Sequence, residues 1–427
     1  MRTSLFSIRQ PLEQLKFNGA VYLQTGGQEG RQLTIGYADL EQTRPITEST
    51  LFYIASLTKM YTAAMILQLI DRGTIRLEDP LTGWFEARAP YDRVTIEHLL
   101  THSSGIPEYF NPELGNVEAI LKGDWEPYFT PGEGWLYTNT NYVLLARILG
   151  RTSRLSYEAC LRNNIAGPLG LRHTTTRPDP EQIAVGKLYD YRERQFTPVT
   201  KDPLFKQIDR LYGHYDGDGG IYATAAEVAR FMQGFLRGEL VSHELVSRAI
   251  TASPLSRGHG YGYGFIIQEE AFGHSGGWPG YSAHALCSWS GDDLTVLLTN
   301  EEVSPAYELQ LLDLLSHSAA VPQEEFERRA AGLPPKHPEV LSVAGAAEEW
   351  NDLEGTYRLA DEHQTSFTIQ IDIESISPTV SFPDQLAAGL LKVEPHVYWI
   401  RNTMSYIDVA RMIFVDEGIE VPFRKMP

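Results

Sequence analysis

The chain of 427 residues is long enough for two or three domains at about 100 to 200 residues each, which excludes a lone small module. Apolar residues at 42% and aromatics at 11% match a globular composition and exclude a disordered chain. Lys plus Arg number 36 against 55 Asp plus Glu, a net charge of −19, and a surface that acidic repels phosphate backbones and anionic lipid heads, so neither nucleic acid nor a membrane surface is an expected partner.

The opening segment MRTSLFSIRQPLEQ lacks the run of about 7 to 15 apolar residues of a signal-peptide core, and no stretch reaches the roughly 18 needed to span a bilayer. The expected location is cytoplasmic. Between residues 19 and 37, Val21, Leu23, Leu33, Ile35 and Tyr37 alternate with polar residues around Gly26 and Gly27, which predicts a hairpin. A helix follows over 56–72, ended by Gly73. Its stretch MYTAAMILQLI has no polar face and belongs inside a domain. Shorter helices are predicted to end at residues 97–100, near 142–150 and over 225–236, the last opened by Thr224 and Glu227 at capping-box spacing.

From Tyr261 the pattern changes to short strand-like runs, YGYGFII, SAHALCSW and LTVLLTN, separated by turn residues, as in an antiparallel meander. A helix near 309–315 precedes Gly332, Pro334, Pro335 and Pro338, a linker composition. Beyond it Phe367, Ile369, Ile371 and Ile373 alternate with polar residues, and VYWI and MIFV follow, so the tail is expected to be a small all-β domain. The expected division is residues 1–335 as a mixed α/β unit, 336–348 as linker and 349–427 as the β-rich domain. Cys160 and Cys287 form neither a disulfide framework nor a cluster of metal-ligand spacing, and no metal or organic cofactor is implied.

Three segments could carry chemistry. Ser56 and Lys59 stand three apart at the start of the apolar helix, a spacing that brings both to one face. Serine needs a neighbour to take its proton, and a desolvated lysine beside it is suited to do so; alone, the spacing is frequent by chance. Tyr137 and Asn139 are two apart on an extended segment and point to one side. His274, Ser275, Gly276 and Gly277 offer side-chain-free backbone whose N–H groups could face a developing oxyanion.

Ser-x-x-Lys, Tyr-x-Asn and His-x-Gly in this order resemble the signature of the serine β-lactamase and penicillin-binding-protein superfamily, in the branch of class C β-lactamases and D-alanyl-D-alanine carboxypeptidases (S12 serine peptidases). The segments TIEHLLTHSSGIPEY, PGEGWLYTNTNYVLLARILG, GPLGLRHT, GDGGIYATAAEVARF and GHSGGWPGYSA carry the resemblance across about residues 19–300. It implies a β-lactamase/transpeptidase-like α/β (α+β) fold, an antiparallel sheet flanked by helices and joined to an all-helical part. It also implies Ser56 as nucleophile, Lys59 as base or base partner, Tyr137 as proton relay and Asn139 as hydrogen-bond partner of substrate and lysine. His274 would stand where many members carry lysine, and the N–H groups of Ser56 and Gly277 would form an oxyanion hole beside Gly276. The expected activity is hydrolysis of amide or ester bonds in D-amino-acid peptides or small esters. The C-terminal domain could mediate homo-oligomer formation.

With an ordinary histidine pKa of about 6.5, His274 would be partly cationic at neutral pH and would favour carboxylate-bearing substrates in mild acid. Two competing readings arise. Gly273 to Gly277 also spells Gly-x-Ser-x-Gly, the nucleophile elbow of α/β-hydrolases with Ser275 as nucleophile, but that motif needs a parallel strand before it and a helix after it. Acylation with little turnover, as in a sensor, is the other. His98 and His102, four apart, read as structural histidines, and Asp216 and Asp218 as a polar turn.

Overall fold

A computed structural model describes residues 5–109, 117–123, 125–190, 194–201, 216–318 and 321–337, together with the backbone of eight strands between 355 and 425. The first hairpin forms as expected: β1 (Gly19–Gln24) and β2 (Arg31–Ile35) join β3 (Ile266–Ile267), β4 (Ala271–Trp278), β5 (Tyr281–Ser288) and β6 (Leu294–Thr299). All pair antiparallel in the order β2-β1-β6-β5-β4-β3. Register Val21↔Leu297 and the alternation of side chains along each strand divide the sheet's residues between two cores.

One core holds Val21, Leu23, Leu33 and Leu297 against Ile8 and Leu12 of α1 (Leu5–Gln14), Leu311 and Leu315 of α6 (Pro305–Ser316) and Phe326 of α7 (Gln323–Ala331). The other holds Ala20, Tyr22, Val296 and Ala283 against α2 (Thr58–Asp71) and α5 (Ala225–Leu236). Both faces of β1 and β6 are therefore buried, which is why every residue of these two strands is buried rather than every second one. Helix α2 is buried from Thr58 to Leu69, as its all-round apolar pattern requires. The second core continues into a helical part that includes α3 (Ile96–Leu100), α4 (Asn139–Ser153) and a short helix over Tyr157–Leu161.

The structure corrects several details. Of the run YGYGFII only Ile266 and Ile267 are strand, whereas the glycine-containing segment Ala271–Trp278 forms the whole of β4. Beyond β4 the outer strand pairs only with Phe272 and Gly273, so His274 to Trp278 lie at a practically open edge. Thr224 caps α5 by accepting the Glu227 N–H at 3.2 Å, but the Glu227 carboxylate turns to the backbone N–H groups of Arg172 and His173 instead of closing the box. Helices α1 and α7 have no counterpart in the sequence reading.

In the tail, strands Gly355–Leu359, Ser366–Gln370, Thr379–Ser381, Ala388–Glu394, Val397–Ile400, Tyr406–Asp408, Ile413–Asp416 and Ile419–Lys425 close an antiparallel barrel, in keeping with the β-rich tail expected there. Ile371, Ile373 and linker residues 338–348 lie outside the described residues. Lys336 and His337 still pack on the first unit: the Lys336 ammonium donates to the Lys16 carbonyl at 2.8 Å, and the His337 ring stacks on Tyr189 at 3.9 Å.

Helices α2 and α5 meet through Tyr61 and Phe231, whose rings stack at 3.8 Å in full burial. Phe231→Ala is expected to lower unfolding stability by about 3 to 5 kcal/mol, read as a fall in the urea midpoint. A loss below about 1 kcal/mol would show that the helix pair is not a load on the core.

Candidate active site

The site begins with a turn. Residues Ala55–Leu57 form one 3-10 turn before α2, and Ala55 has φ +45°, a left-handed conformation that costs a non-glycine residue roughly 1–2 kcal/mol. Its neighbours hold it there. The N–H of Ile54 donates to the Ile221 carbonyl at 3.0 Å, and the Ile54 carbonyl accepts from Leu57 N–H at 3.1 Å. Strand β4 closes on the same turn: a Cβ on Gly276 would lie 2.6 Å from the Ile54 carbonyl oxygen and 3.0 Å from the Ser56 nitrogen. Glycine is required here by close approach. Ser56 remains partly exposed, and Gly277 is exposed with open space where its Cβ would be.

Lys59 lies one helical turn below the serine and is fully buried. Its Nζ donates to Ser56 Oγ at 2.9 Å, Asn139 Oδ1 at 2.8 Å and the Asp218 carbonyl at 2.9 Å. The last two oxygens only accept. A neutral Lys59 would give them its two hydrogens and turn its lone pair to Ser56 Oγ, the arrangement a general base needs. Asn139 is the first residue of α4, so the helix start fixes its side chain beside the lysine. The Tyr137 ring centroid is 4.9 Å from Lys59 Nζ, and the ring packs 4.3 Å from His102 and 6.1 Å from His274. The three sequence segments thus converge, as expected.

His274 differs from expectation in its charge. The side chain is 2% exposed, and burial first, then the nearby Lys59 charge, push its pKa down to about 3. Its Nδ1–H faces the Ser275 carbonyl, which leaves Nε2 to accept the Tyr261 hydroxyl at 3.0 Å. The ring is neutral through mild acid, so the partly cationic carboxylate partner expected from the sequence is not present.

Other residues complete the site without having been singled out. Glu108, 4% exposed, accepts Asn139 N–H at 2.8 Å, Asn139 Nδ2–H at 3.1 Å and Tyr109 N–H at 2.9 Å. Burial pushes its carboxyl up to about 7. Asp218 is buried as well, its carboxyl raised by the same desolvation, and accepts the Tyr109 hydroxyl at 3.0 Å. It is part of the site rather than a polar turn alone. The one available signal was an acidic residue between Pro107 and Tyr109 in the otherwise uncharged run SSGIPEYF.

His102 is buried, and its Nδ1 faces two donors, Asn141 Nδ2 at 3.0 Å and Thr138 N–H at 3.3 Å, so its hydrogen sits on Nε2. His98 instead exchanges capping bonds with Thr95. Ser275 lies within the antiparallel hairpin of β4 and β5, where no parallel strand and following helix make an elbow. Beside the serine turn, Tyr53 packs against Tyr222 at 5.2 Å, Tyr281 at 5.8 Å and Trp278 at 6.0 Å.

Comparison with known proteins agrees with this architecture. The family model described as Beta-lactamase matches residues 7–311. Penicillin-binding protein 4* of Bacillus subtilis is 32% identical over 331 residues, 71% of this chain and 73% of that protein. Esterase EstB of Burkholderia gladioli is 29% identical over 279 residues, 54% of this chain and 70% of its own. The octameric penicillin-binding protein homologue from Pyrococcus abyssi superposes with a TM-score of 0.56 at 22% identity, covering 98% of this chain and 95% of that one.

Two outcomes follow from the geometry. Gly276→Ala must displace the Ser56 turn or β4 and is expected to reduce kcat about 100-fold, whereas Gly277→Ala meets no protein atom and acts at most on KM; equal effects at both positions would contradict the packing described. For His274 the unfolded ring binds a proton near 6.5 and the folded ring near 3, so the stability it contributes is present above about pH 6.5 and is lost as pH falls toward 3. Glu108 works in the opposite direction, because its folded pKa is raised. The comparison with His274→Gln isolates the ring: the wild-type advantage in urea midpoint should shrink between pH 7 and pH 5, and a constant difference would show that the ring is not held neutral.

Proposed function

Because the chain belongs to the beta-lactamase family, within the serine β-lactamase and penicillin-binding-protein superfamily of hydrolases, we propose that it hydrolyses amide or ester bonds through an acyl-enzyme on Ser56. The observation that carries this reading is the buried Lys59 amine 2.9 Å from Ser56 Oγ and anchored on the other side by Asn139 and Asp218, so that in its neutral form its lone pair faces the serine. Ser56 Oγ attacks the substrate carbonyl carbon and gives its proton to Lys59, or to Tyr137 through Lys59. The C–N or C–O bond then breaks as the relay protonates the leaving amine or alcohol. Water attacks the Ser56 ester in the second half, releases the acid and returns the proton to the serine.

The N–H groups of Ser56 and Gly277 would stabilise the oxyanion, with Gly276 keeping the strand against the serine turn. Asn139 would hold the substrate amide as well as the lysine. His274, neutral and bonded to Tyr261, would set the position of the β4 edge and pack beside the Tyr137 ring.

The substrates proposed are D-amino-acid-containing peptides and small esters. The relative named an esterase supports the ester side, and the aromatic wall of Tyr53, Tyr222, Tyr281 and Trp278 suits an apolar acyl group. The relative named a penicillin-binding protein favours a second reading, acylation by a β-lactam with slow release. Among the described residues no helix is long and apolar enough to cross a membrane, and a cytoplasmic location remains part of the proposal. So does the division into a catalytic unit to residue 335 and a barrel unit from 349. The barrel is proposed as a self-association element, as the neighbour titled octameric suggests.

A panel of D-amino-acid peptides, short-chain p-nitrophenyl esters and a chromogenic cephalosporin tests the reading. Ser56→Ala should lower kcat by at least about 10³-fold on every substrate turned over, while Ser275→Ala should change it less than about tenfold. The reverse order would put the nucleophile at Ser275. A stoichiometric burst with a penicillin and no turnover on any substrate would support the sensor.

A further inference from the structure

We propose that Glu108 is a positioning residue for this reaction: its buried carboxylate fixes the Asn139 amide so that Oδ1 faces Lys59, and through that amide it balances the charge of the lysine. The inference rests on the assignment of Ser56 and Lys59 as the reacting pair.

The two ends of an asparagine amide are alike in shape and opposite in hydrogen bonding. Lys59 needs the oxygen end, because an NH₂ group turned to an ammonium offers no acceptor and repels it. Nothing in the side chain of Asn139 chooses between the two orientations. Glu108 makes the choice. Its Oε2 accepts Asn139 Nδ2–H at 3.1 Å, a bond only the nitrogen end can donate, and so Oδ1 is left for Lys59 Nζ at 2.8 Å.

The same Oε2 accepts the backbone N–H of Asn139 at 2.8 Å. This is the N-terminus of α4, whose N-cap Thr138 makes no side-chain cap bond, so the carboxylate also stands where the helix dipole favours negative charge. Oε1 accepts Tyr109 N–H at 2.9 Å. Tyr109 N–H is shared with Thr140 Oγ1 at 2.8 Å, and that hydroxyl donates to the Pro107 carbonyl at 2.7 Å, which ties the Pro107–Tyr109 segment to the start of α4. The carboxylate is not a surface charge that happens to reach inward.

Among the described residues, the charged groups facing Glu108 are Lys59 from α2 and Asp218 from the segment before Tyr222, with the Tyr109 hydroxyl bonded to Asp218. Desolvation and Asp218 raise the Glu108 pKa, the N–H donors and Lys59 lower it, and the balance is about 7. A protonated carboxyl would have to place its hydrogen on an oxygen already faced by N–H groups. The hold on Asn139 then weakens and the ammonium that forms when Lys59 takes the serine proton loses its counter-charge, so activity should fall as pH drops through this range.

The test is the pH profile of p-nitrophenyl ester hydrolysis by the full chain from pH 5.5 to 9, for wild type, Glu108→Gln and Glu108→Asp, with folding checked by circular dichroism. Wild type should show an acid limb near pH 7. Glu108→Gln should lose that limb and about 10- to 100-fold in kcat with KM nearly unchanged, while Glu108→Asp, which still titrates, should keep a limb at reduced kcat. A flat wild-type profile between pH 6 and 8 overturns the proposal without any variant, as does a Gln variant with the wild-type limb and kcat. A purely structural role would lower the melting temperature of both variants and leave the limb in place. Should Ser56→Ala retain hydrolysis, the underlying assignment fails; should Ser56→Ala be inactive and Glu108→Gln match wild type, only the role of Glu108 fails.

Discussion

Everything at this site is arranged around one buried amine. An ammonium taken out of water is costly unless it is hydrogen-bonded and electrically balanced, and Lys59 meets that condition because the turn before its own helix and three distant pieces of chain supply what it needs. Ser56 comes from the turn before the same helix, Asn139 from the start of α4, the Asp218 carbonyl from the segment before Tyr222, and the Glu108 charge from one hydrogen bond further away. Without the lysine, Asn139 and Asp218 would still be joined through Glu108 and Tyr109, but nothing would tie them to Ser56 through one atom.

The arrangement also explains why the sheet edge looks as it does. Strand β4 must lie close enough to the serine turn for backbone to meet backbone, which only glycine at 276 allows. His274 at the other end of that edge is sealed in by Tyr261 and the Tyr137 ring and stays neutral. Charge in the site therefore comes from Lys59 facing the carboxylates of Glu108 and Asp218. Two poorly solvated carboxylates near each other cannot both be ionised without cost, and burial raises the pKa of both.

Much of this could be read in the sequence. The three-residue spacing of Ser56 and Lys59, the all-apolar helix behind them and the two-residue spacing of Tyr137 and Asn139 are local patterns, and local patterns survive folding. The hairpin at β1 and β2, helix α5 and the all-β tail were legible for the same reason. Strand β4 was less so, because glycines at 273, 276 and 277 erase the alternation that marks a strand, and what makes it one is pairing with β5 along its whole length. Helices α1 and α7 bury a narrow stripe with charged residues around it, and α7 carries only Phe326 and Ala330 into the core. Burial of a lone polar residue leaves little trace in sequence, and for Glu108 only its place in the otherwise uncharged run SSGIPEYF. That is why His274 was expected to be partly charged and why Glu108 and Asp218 escaped notice as partners of the lysine.

The covalent step at Ser56 is the claim on which the rest stands. It is tested most directly by mixing the protein with an excess of a slowly released acyl donor, quenching in acid at successive times and locating the adduct by peptide mass mapping. A mass increase equal to the acyl group, confined to the peptide that carries Ser56 and absent from Ser56→Ala, is the expected result. An adduct on Ser275, or full turnover with no adduct at any quench time, would contradict it.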